Sequence, residues 1–467
     1  MVSNLHTFLA DWEEKHPEEF LHIDKEISVK WEITALQDKL EKMGKYPIIV
    51  CKNPVTVQGK KSDFQLITNL MASRRRCATV LGMDARKVAM QYAKKSAERG
   101  KTEIVSKRDA PVKEVVEKEE NIDLFKFPHP HHHRMDPGPY IAAGLATTYD
   151  PETGIHNCCF QRLWVKQKDK TGYQNANYSH NWRNVLKFWD QGQDAPVAVY
   201  IGHHLGALLG ANMKLDYPED HYPVMAATLG EPLRLVPTDT FGDKLLVPAD
   251  AEIIIEGLVP RDHWEAEGPF GEYHRRYGNQ VPAMVINVKC VTYRKDAIYH
   301  DLAPGKADHL MPGVFPIEAR LWHVLKGPIP DLENVHVPVS GGDGRSSAYL
   351  QFKKRLPEVG RDGITMALSG IQYSLKHVYA FDDDIDIFNP LEILWALTLR
   401  SYKGGFIELD SFRWGYKGGL DCTKPAPSEP GVPPLQPILN DFPKEILERV
   451  QIENYVKKSD ANRIPVE

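Results

Sequence analysis

Two glutamates, Glu267 and Glu272, stand at the ends of the segment Glu-Gly-Pro-Phe-Gly-Glu. The glycine and proline between them favour a turn, which brings the two carboxyl groups towards one place. Neighbouring carboxyl groups can be held in different protonation states, so that one stays ionised while the other delivers a proton. A hairpin loop with two solvent-exposed glutamates has the same sequence, and the segment alone does not decide between these interpretations.

Arg162 ends a second segment, Asn-Cys-Cys-Phe-Gln-Arg, which begins at Asn157 and leads from a turn into a predicted strand. The two residues lie an odd number of positions apart, so in a regular strand they face opposite sides unless a bulge re-aims one. An arginine near two glutamates is held by ion pairs and offers a planar fork to a substrate carboxylate. The local sequence favours the simpler alternative, an edge-strand arginine in a surface ion pair.

Asn157, His180 and Glu231 offer an amide oxygen, an imidazole nitrogen and a carboxylate oxygen. This mixed set suits Mn²⁺ or Mg²⁺ better than a metal that prefers thiolates. Nothing local brings the three together, and a lone histidine is more often an ordinary polar residue.

Four further histidines, at positions 129, 131, 132 and 133, form a cluster in a proline-rich stretch that we interpret as a loop. Three consecutive loop histidines cannot easily aim at one ion, and the helical i, i+4 spacing of catalytic zinc motifs is absent, so this cluster is a poor metal site. The glycine-rich segment from Gly341 to Gly344 lacks the lysine of a phosphate-binding loop and is weak evidence for one.

Composition narrows the class of protein. The 467 residues carry a formal net charge of −5, so there is no basic excess to indicate nucleic-acid binding. The six cysteines form no C-x-x-C pair, which argues against disulfides and a structural zinc. The first residues lack a signal-peptide core, and no apolar run is long enough to span a bilayer. We expect a soluble, cytoplasmic protein without nucleic-acid or membrane partners.

The elements that must position these residues fall into four predicted segments. Residues 1–115 alternate apolar runs and helices in an α/β pattern, with a buried strand at Tyr46–Cys51, and residues 116–312 are rich in β-branched strands and read as a barrel-like domain. A connecting helix is expected within 313–330, around Pro316–Lys326. Residues 331–467 return to an α/β pattern and end in a helix.

Taken together, the motifs resemble the UbiD family of prenylated-flavin decarboxylases. The resemblance rests on Asn157 with Arg162 five positions on, His180, Leu-Gly-Glu231 and the Glu267–Glu272 segment, in this order. The later runs Leu375–Phe388 and Ile393–Ala396 resemble the family's C-terminal signature. The likeness extends from about residue 30 to 425, and chance rarely places all these motifs in one order.

The resemblance implies a fold, a cofactor and a set of binding residues. The fold would be an N-terminal α/β part, a central split β-barrel that holds the flavin, and a C-terminal α/β domain for oligomerisation. The cofactor would be prenylated FMN, with Mn²⁺ (or Mg²⁺) bridging to its phosphate and K⁺ nearby. Asn157, His180 and Glu231 would hold the metal. The implied cofactor-binding set is Asn157, Cys159, Phe160, Gln161, Arg162, Ser179, His180, Glu231 and Lys376.

The resemblance also implies the chemistry. A covalent adduct between the substrate and the flavin would provide an electron sink for loss of CO2. Arg162, steadied by Glu267, would orient the substrate carboxylate, and Glu272 would then protonate the carbon. The likeness leans towards decarboxylases of aromatic or heteroaromatic acids, a UbiX-type flavin prenyltransferase as cofactor supplier, and a homodimer or larger assembly.

Several alternatives stay open at this point. Carboxylation is the alternative physiological direction, and an acrylic- or cinnamic-type acid is the alternative substrate. A metal-dependent hydrolase built on the histidine cluster and an inactive flavin-binding module are the alternatives outside the class. The basic run His274–Arg276 either contacts a polar substrate group or pairs with surface acids, and Phe412 and Trp414 are either pocket walls or ordinary core residues.

Overall fold

The computed structural model describes residues 2–175, 179–339, 345–353, 358–370, 375–401, 404–411, 415–424 and 443–451. Two predicted features, the glycine-rich segment Gly341–Gly344 and the pocket walls Phe412 and Trp414, lie outside the described residues.

The N-terminal part packs helices against a small sheet. Its elements are α1 (Leu5–Lys15), β1 (Phe20–Ser28), α2 (Glu32–Lys42), β2 (Ile48–Val55), β3 (Gln65–Thr68), α3 (Arg74–Val80), α4 (Val88–Ser96) and β4 (Thr102–Ile104). The side chain of Asn4 caps α1, and Leu5, Phe8 and Trp12 bury one face of it because they recur at helical spacing. The buried run Ile48–Cys51 in β2 confirms the strand predicted there.

The central part is built mostly of strands. Its elements are β5 (Val115–Lys118), β6 (Tyr140–Ile141), β7 (Leu145–Tyr149), β8 (His156–Phe160), β9 (Leu163–Gln167), β10 (Lys170–Tyr173), α5 (His180–Asp190), β11 (Ala195–Ile201), α6 (Leu205–Ala211), α7 (His221–Leu229), β12 (Leu233–Thr238), β13 (Gly242–Pro248), β14 (Ile253–Val259), β15 (Glu265–Glu267), β16 (Phe270–Gly271), β17 (Tyr277–Gly278), β18 (Val281–Tyr293) and β19 (Ile298–His300).

Ten of these strands form one sheet in the order β6-β9-β10-β18-β14-β11-β7-β8, with β5 and β15 also pairing to β18. In the part of the chain that the structure describes, the end strands β6 and β8 do not pair, so the ladder stays open. Along β11, Val197 and Val199 belong to one hydrophobic core, while Ala198 and Tyr200 belong to the other. Burial on both faces explains why the strand reads as a continuous apolar run.

The C-terminal part contains α8 (Ala307–Lys326), β20 (Leu332–His336), β21 (Ser347–Phe352), α9 (Val359–Gly370), β22 (His377–Asp382), α10 (Pro390–Leu399), β23 (Phe406–Ser411), β24 (Gly415–Asp421) and α11 (Lys444–Arg449). Its five strands pair in the order β20-β21-β22-β24-β23. Together the three parts give the mixed α/β architecture that was predicted. The bounds of the four predicted segments stay predictions. Strand β19 belongs to the second segment by sequence, but it pairs in parallel with β3 in the sheet of the first.

Helix α8 begins at Ala307, earlier than the predicted start near Pro316. Pro316 has no N–H, so the carbonyl of Pro312 one turn earlier lacks its helical donor. The side chain of Asn212 donates to that carbonyl at 2.6 Å instead. This replacement compensates for Pro316 and fixes Asn212 against the helix.

Candidate active site

Arg162 lies in the two-residue connection between β8 and β9, directly after β8 ends at Phe160. The opposite-face argument therefore does not apply, because Arg162 is outside the strand that carries Asn157. Its Nε donates to Glu267 Oε1 at 3.1 Å and its Nη2 donates to Glu267 Oε2 at 2.6 Å. Its Nη1 donates to Glu272. One guanidinium thus joins both glutamates.

An aromatic ring also holds the arginine. The guanidinium carbon lies 4.7 Å from the ring centre of Phe270, within the range of a cation–π contact. Burial lowers the pKa of Arg162, but the hydrogen bonds and charge of Glu267 outweigh it, so the net pKa is raised. Arg162 is therefore charged at every relevant pH. The arrangement excludes the surface ion pair on an edge strand, because Glu267 is fully buried.

The turn between the two glutamates needs its glycine. Gly268 has φ +81°, a conformation that other residues adopt only with strain. Beyond it, Phe270 and Gly271 of β16 pair with Gly278 and Tyr277 of β17, respectively. The amide of Glu272 donates to the carbonyl of Arg276 at 2.8 Å. The backbone of Glu272 is thereby fixed while its carboxyl group reaches Arg162.

A cavity of about 300 Å³ opens beside these groups. Phe160, Gln161, Arg162 and Phe270 lie on its wall together with Glu272, and the start of α8 closes another side. The wall thus combines aromatic faces with one charged cluster. A planar acid fits such a space with its ring against aromatic groups and its carboxylate on the arginine.

A second cavity of about 210 Å³ adjoins the first, and Asn212 lines both. Its wall includes four residues predicted from the sequence, namely Asn157, Cys159, Ser179 and His180. Lys214 adds a positive charge there. Burial first, and then the charges of Arg183 and Lys214, lower the pKa of His180. A neutral imidazole and a nearby ammonium group suit a site for a metal ion and a phosphate.

The amide of Asn157 has a fixed orientation. Its Nδ2 donates to Asn181 Oδ1 at 2.7 Å, and Asn181 Nδ2 in turn donates to the carbonyl of Ala146 at 2.8 Å. Because a carbonyl can only accept, this chain of bonds assigns the oxygen and nitrogen of both amides. Asn157 Oδ1 is therefore the atom left for a cation, and a partner that orients a ligand in this way is typical of metal sites.

Glu231 lies apart from Asn157 and His180, because it is not on the wall of the second cavity. Helix α7 runs from His221 to Leu229, and Gly230 ends it with φ +82°. Nine residues separate its ends by roughly 13 Å. Its first residue, His221, lines the second cavity, whereas Glu231 follows the other end and accepts from the amide of Ser3 at 2.7 Å.

His221 is a better third candidate for the cation. Its Nε2 is 3.2 Å from the carbonyl of Met213, to which it donates, so Nδ1 is the nitrogen without a proton. That Nδ1 is buried and has no hydrogen-bond partner. An orphaned acceptor on the wall of a polar cavity is the kind of atom that a bound ion satisfies.

Other predicted residues lie away from both cavities. Lys376 precedes β22 and its Nζ lies 5.0 Å from the ring centre of Tyr416, so this assignment finds no support among the described wall residues. Arg275 turns towards α2 and pairs with Glu41 at 3.3 Å, and neither His274 nor Arg276 is on the described cavity walls. Arg275 therefore pairs with a protein carboxylate, and none of the three residues lines the larger cavity.

The histidine cluster is structural. His132 Nε2 lies 2.9 Å from Asp301, and His129 Nδ1 lies 2.8 Å from the Tyr299 hydroxyl. Within the described residues, no group of three His, Cys, Asp or Glu donors that could share one ion includes this cluster. The histidine cluster therefore does not support the alternative of a metal-dependent hydrolase.

Sequence reasoning missed several wall residues, namely Lys214, His221, His309 and Arg345. Burial, followed by the charges of Arg345, His132 and Arg162, lowers the pKa of His309 to about 3. The guanidinium of Arg345 lies 5.0 Å from the ring centre of Tyr273. None of these residues stands in a motif, and only folding brings them to the cavities. None of the helices that the structure describes has the length and apolar character needed to cross a bilayer.

Comparisons with known proteins find matches along most of the chain. Three family models, described as the N-terminal, Rift-related and C-terminal domains of 3-octaprenyl-4-hydroxybenzoate carboxy-lyase, match residues 13–95, 103–307 and 310–402. The anhydromevalonate phosphate decarboxylase of Methanothermobacter thermautotrophicus is 28% identical over 389 residues, which are 83% of this chain and 86% of that protein.

Solved structures with a similar fold also cover most of the chain. The UbiD-class enzyme HmfF from Pelotomaculum thermopropionicum, in complex with FMN, is 29% identical and superposes with a TM-score of 0.87 over 97% of this chain and 100% of that one. An evolved dimeric form of HmfF, in complex with prFMN, gives a TM-score of 0.85 at 29% identity over the same shares. The 3,4-dihydroxybenzoic acid decarboxylase of Klebsiella pneumoniae, at 23% identity, shares the fold, with a TM-score of 0.83 over 97% of this chain and 100% of that one.

Proposed function

Because the chain belongs to the UbiD family and is a carboxy-lyase of that type, we propose that it decarboxylates an aromatic or heteroaromatic acid with prenylated FMN. The observation that carries this proposal is the single guanidinium of Arg162 shared by Glu267 and Glu272 at the cavity wall. Such a cluster binds one carboxylate and keeps an acid beside it.

The two adjoining cavities suit the two halves of a flavin mononucleotide. The larger has the aromatic groups Phe160 and Phe270 for a planar ring system. The smaller has Lys214 and the candidate metal ligands for a phosphate. When bound, the prenylated flavin supplies the electron sink that decarboxylation needs.

The chain's own groups then account for binding and proton transfer. A substrate carboxylate takes the Nη1 donor of Arg162 that Glu272 holds, while the bidentate pair with Glu267 keeps the guanidinium in place. Loss of CO2 breaks one carbon–carbon bond and leaves its electron pair on the substrate carbon. Once released from Arg162, Glu272 takes up a proton from water and delivers it to that carbon, which completes the new C–H bond and leaves Glu272 ionised. Carboxylation is the same sequence in reverse.

A divalent cation, Mn²⁺ or Mg²⁺, would be held by Asn157 and His180, with His221 in place of Glu231 as the third ligand. The support is the oriented Asn157 oxygen and the orphaned His221 nitrogen. The nearby K⁺ stays a prediction.

The proposal is tested by co-expression with a UbiX-type flavin prenyltransferase in medium containing Mn²⁺. The absorbance spectrum and the intact mass of the released cofactor identify the flavin, and CO2 release is then measured over a set of aromatic acids. A protein that binds no flavin under these conditions contradicts the proposal.

A substrate with a second anionic group is the other candidate, because Arg345 and His309 also line the larger cavity. Two of the relatives are named as decarboxylases of a phosphate-bearing acid. We expect Arg345→Ala to lower kcat/KM for such an acid by about 10-fold or more, since a charge-assisted hydrogen bond is lost. Simple aromatic monoacids should be unaffected. Arg320→Ala, an exposed change on α8, is the control, and equal losses for both acids contradict this candidate.

Assembly as a homodimer or larger homo-oligomer is supported by an exposed apolar face on α10. Leu391 and Leu394 are 77% and 62% exposed, more than isolated surface leucines explain when they share one helix. We expect the double variant Leu391→Glu/Leu394→Glu to be monomeric in light scattering coupled to size exclusion. Met43→Glu, at an exposed position on the N-terminal part, should leave the assembly intact. An unchanged mass in the double variant contradicts an interface here.

A further inference from the structure

The stretch Phe127–Tyr140 is called here the histidine-rich segment. It contacts both ends of the turn that runs from Glu267 to Glu272. At the first end, the hydroxyl of Tyr140 donates to Glu267 Oε1 at 3.1 Å. At the second end, Asp136 Oδ1 accepts from the amide of Gly271 at 3.1 Å. Gly271 directly precedes the proposed acid Glu272, so the second contact fixes the backbone that carries it.

The Asp136 carboxylate is built for this contact. It is 4% exposed, and its other oxygen accepts from the amide of His133 at 2.8 Å. The ring of His133 lies against Gly271, where an added Cβ would be 2.4 Å from His133 Nδ1. Both carboxylate oxygens are thus used by backbone donors, and the glycine allows the close approach.

The histidines anchor the segment to the rest of the protein. His132 bonds to Asp301, which follows β19, and His129 bonds to Tyr299 within β19. The backbone of His131 bonds to that of Val29 and Trp31 at 3.0 Å each. A segment tied down at these points is a rigid support, which a solvent-exposed loop is not.

We propose that Asp136 is a positioning residue for Glu272, and that the histidine-rich segment is its rigid support. The proposal rests on the proposed function, because it assigns the role of acid to Glu272. Asp136 holds the Gly271 amide so that the carboxyl group of Glu272 stays beside both Arg162 and the substrate carbon. A displacement of about 1 Å at such a point can cost about 100-fold in rate.

The test compares Asp136→Asn and Asp136→Ala with the wild type as flavin-loaded holoenzymes. Asparagine keeps one acceptor oxygen for Gly271 but places an amide group against the His133 donor, whereas alanine removes both contacts. We expect kcat to fall by about 10-fold in Asp136→Asn and about 100-fold in Asp136→Ala, with KM, flavin content and melting temperature retained. Asp123→Ala is the matched control, because Asp123 also accepts a backbone donor, from Phe125, but is exposed.

Hydrogen exchange supplies a readout that does not depend on activity. In a peptide spanning residues 268–276, exchange should be faster in Asp136→Ala than in wild type and unchanged in Asp123→Ala. Unchanged exchange or unchanged kcat in both Asp136 variants overturns the proposal, and so does a loss of flavin and melting temperature that parallels the loss of activity. If the wild type binds flavin but releases no CO2 from any acid, the proposed function fails, while the exchange result still decides whether Asp136 holds the turn.

Discussion

Replacing Glu272 with glutamine should reduce kcat by at least about 100-fold while the flavin stays bound, since general acid catalysis contributes 100-fold or more. Glutamine keeps the shape of the side chain and can still accept from Arg162, but it cannot deliver a proton to carbon. The measurement is CO2 release under saturating acid, together with the flavin absorbance of the same preparation. Glu265→Gln is the matched control, because Glu265 pairs with Lys166 and Lys170 outside the cavity.

Two results would contradict this role for Glu272. Full activity in Glu272→Gln would show that another group protonates the product. Loss of flavin in the same variant would show that the residue supports cofactor binding instead of the chemistry. The same activity loss in Glu265→Gln would mean that charge near the turn, and not a proton at Glu272, is what matters.

Replacing His180 with alanine should release the metal and weaken cofactor retention by about 10- to 100-fold, an effect typical of altered metal sites. His221→Ala should act in the same direction. Glu231→Ala is the informative control, since the structure places Glu231 beside Ser3 at the other end of α7. Metal content by mass spectrometry and flavin content by absorbance are measured on each purified variant.

The outcome separates two possible ligand sets. Metal loss in Glu231→Ala with retention in His221→Ala would support Glu231 as the third ligand and contradict the proposed His221. Retention in all three variants would mean that no metal ion is held at the smaller cavity.

Strands could be predicted from the sequence where both of their faces are buried. The run at β11 is apolar along its whole length because each face packs into a different core, so composition alone marks it as a buried strand. The start of α8 was predicted too late because Pro312 and Pro316 indicate a helix break. Asn212, whose side chain donates to the otherwise unpaired carbonyl of Pro312, is a hundred residues away along the chain. No local sequence pattern contains it.

The candidate site was predictable as a set of motifs but not as a geometry. Periodicity placed Arg162 across the strand from Asn157, since the sequence does not mark Phe160 as the last residue of β8. Glu231 was assigned from a motif, and the motif carries no information on which end of α7 faces the cavity. His221, at the end that faces the cavity, stands in no motif and has no feature in the sequence that separates it from other histidines.

The pairing of β19 with β3 has a consequence for synthesis of the chain. A ribosome completes β3 at Thr68 but does not reach Ile298, the first residue of its neighbour, until nearly all of the central part has been synthesised. Until then the nascent chain presents an unpaired strand edge, which is the kind of surface that recruits other strands. Chaperone demand during translation should therefore peak before residue 298 and fall once His300 has left the exit tunnel.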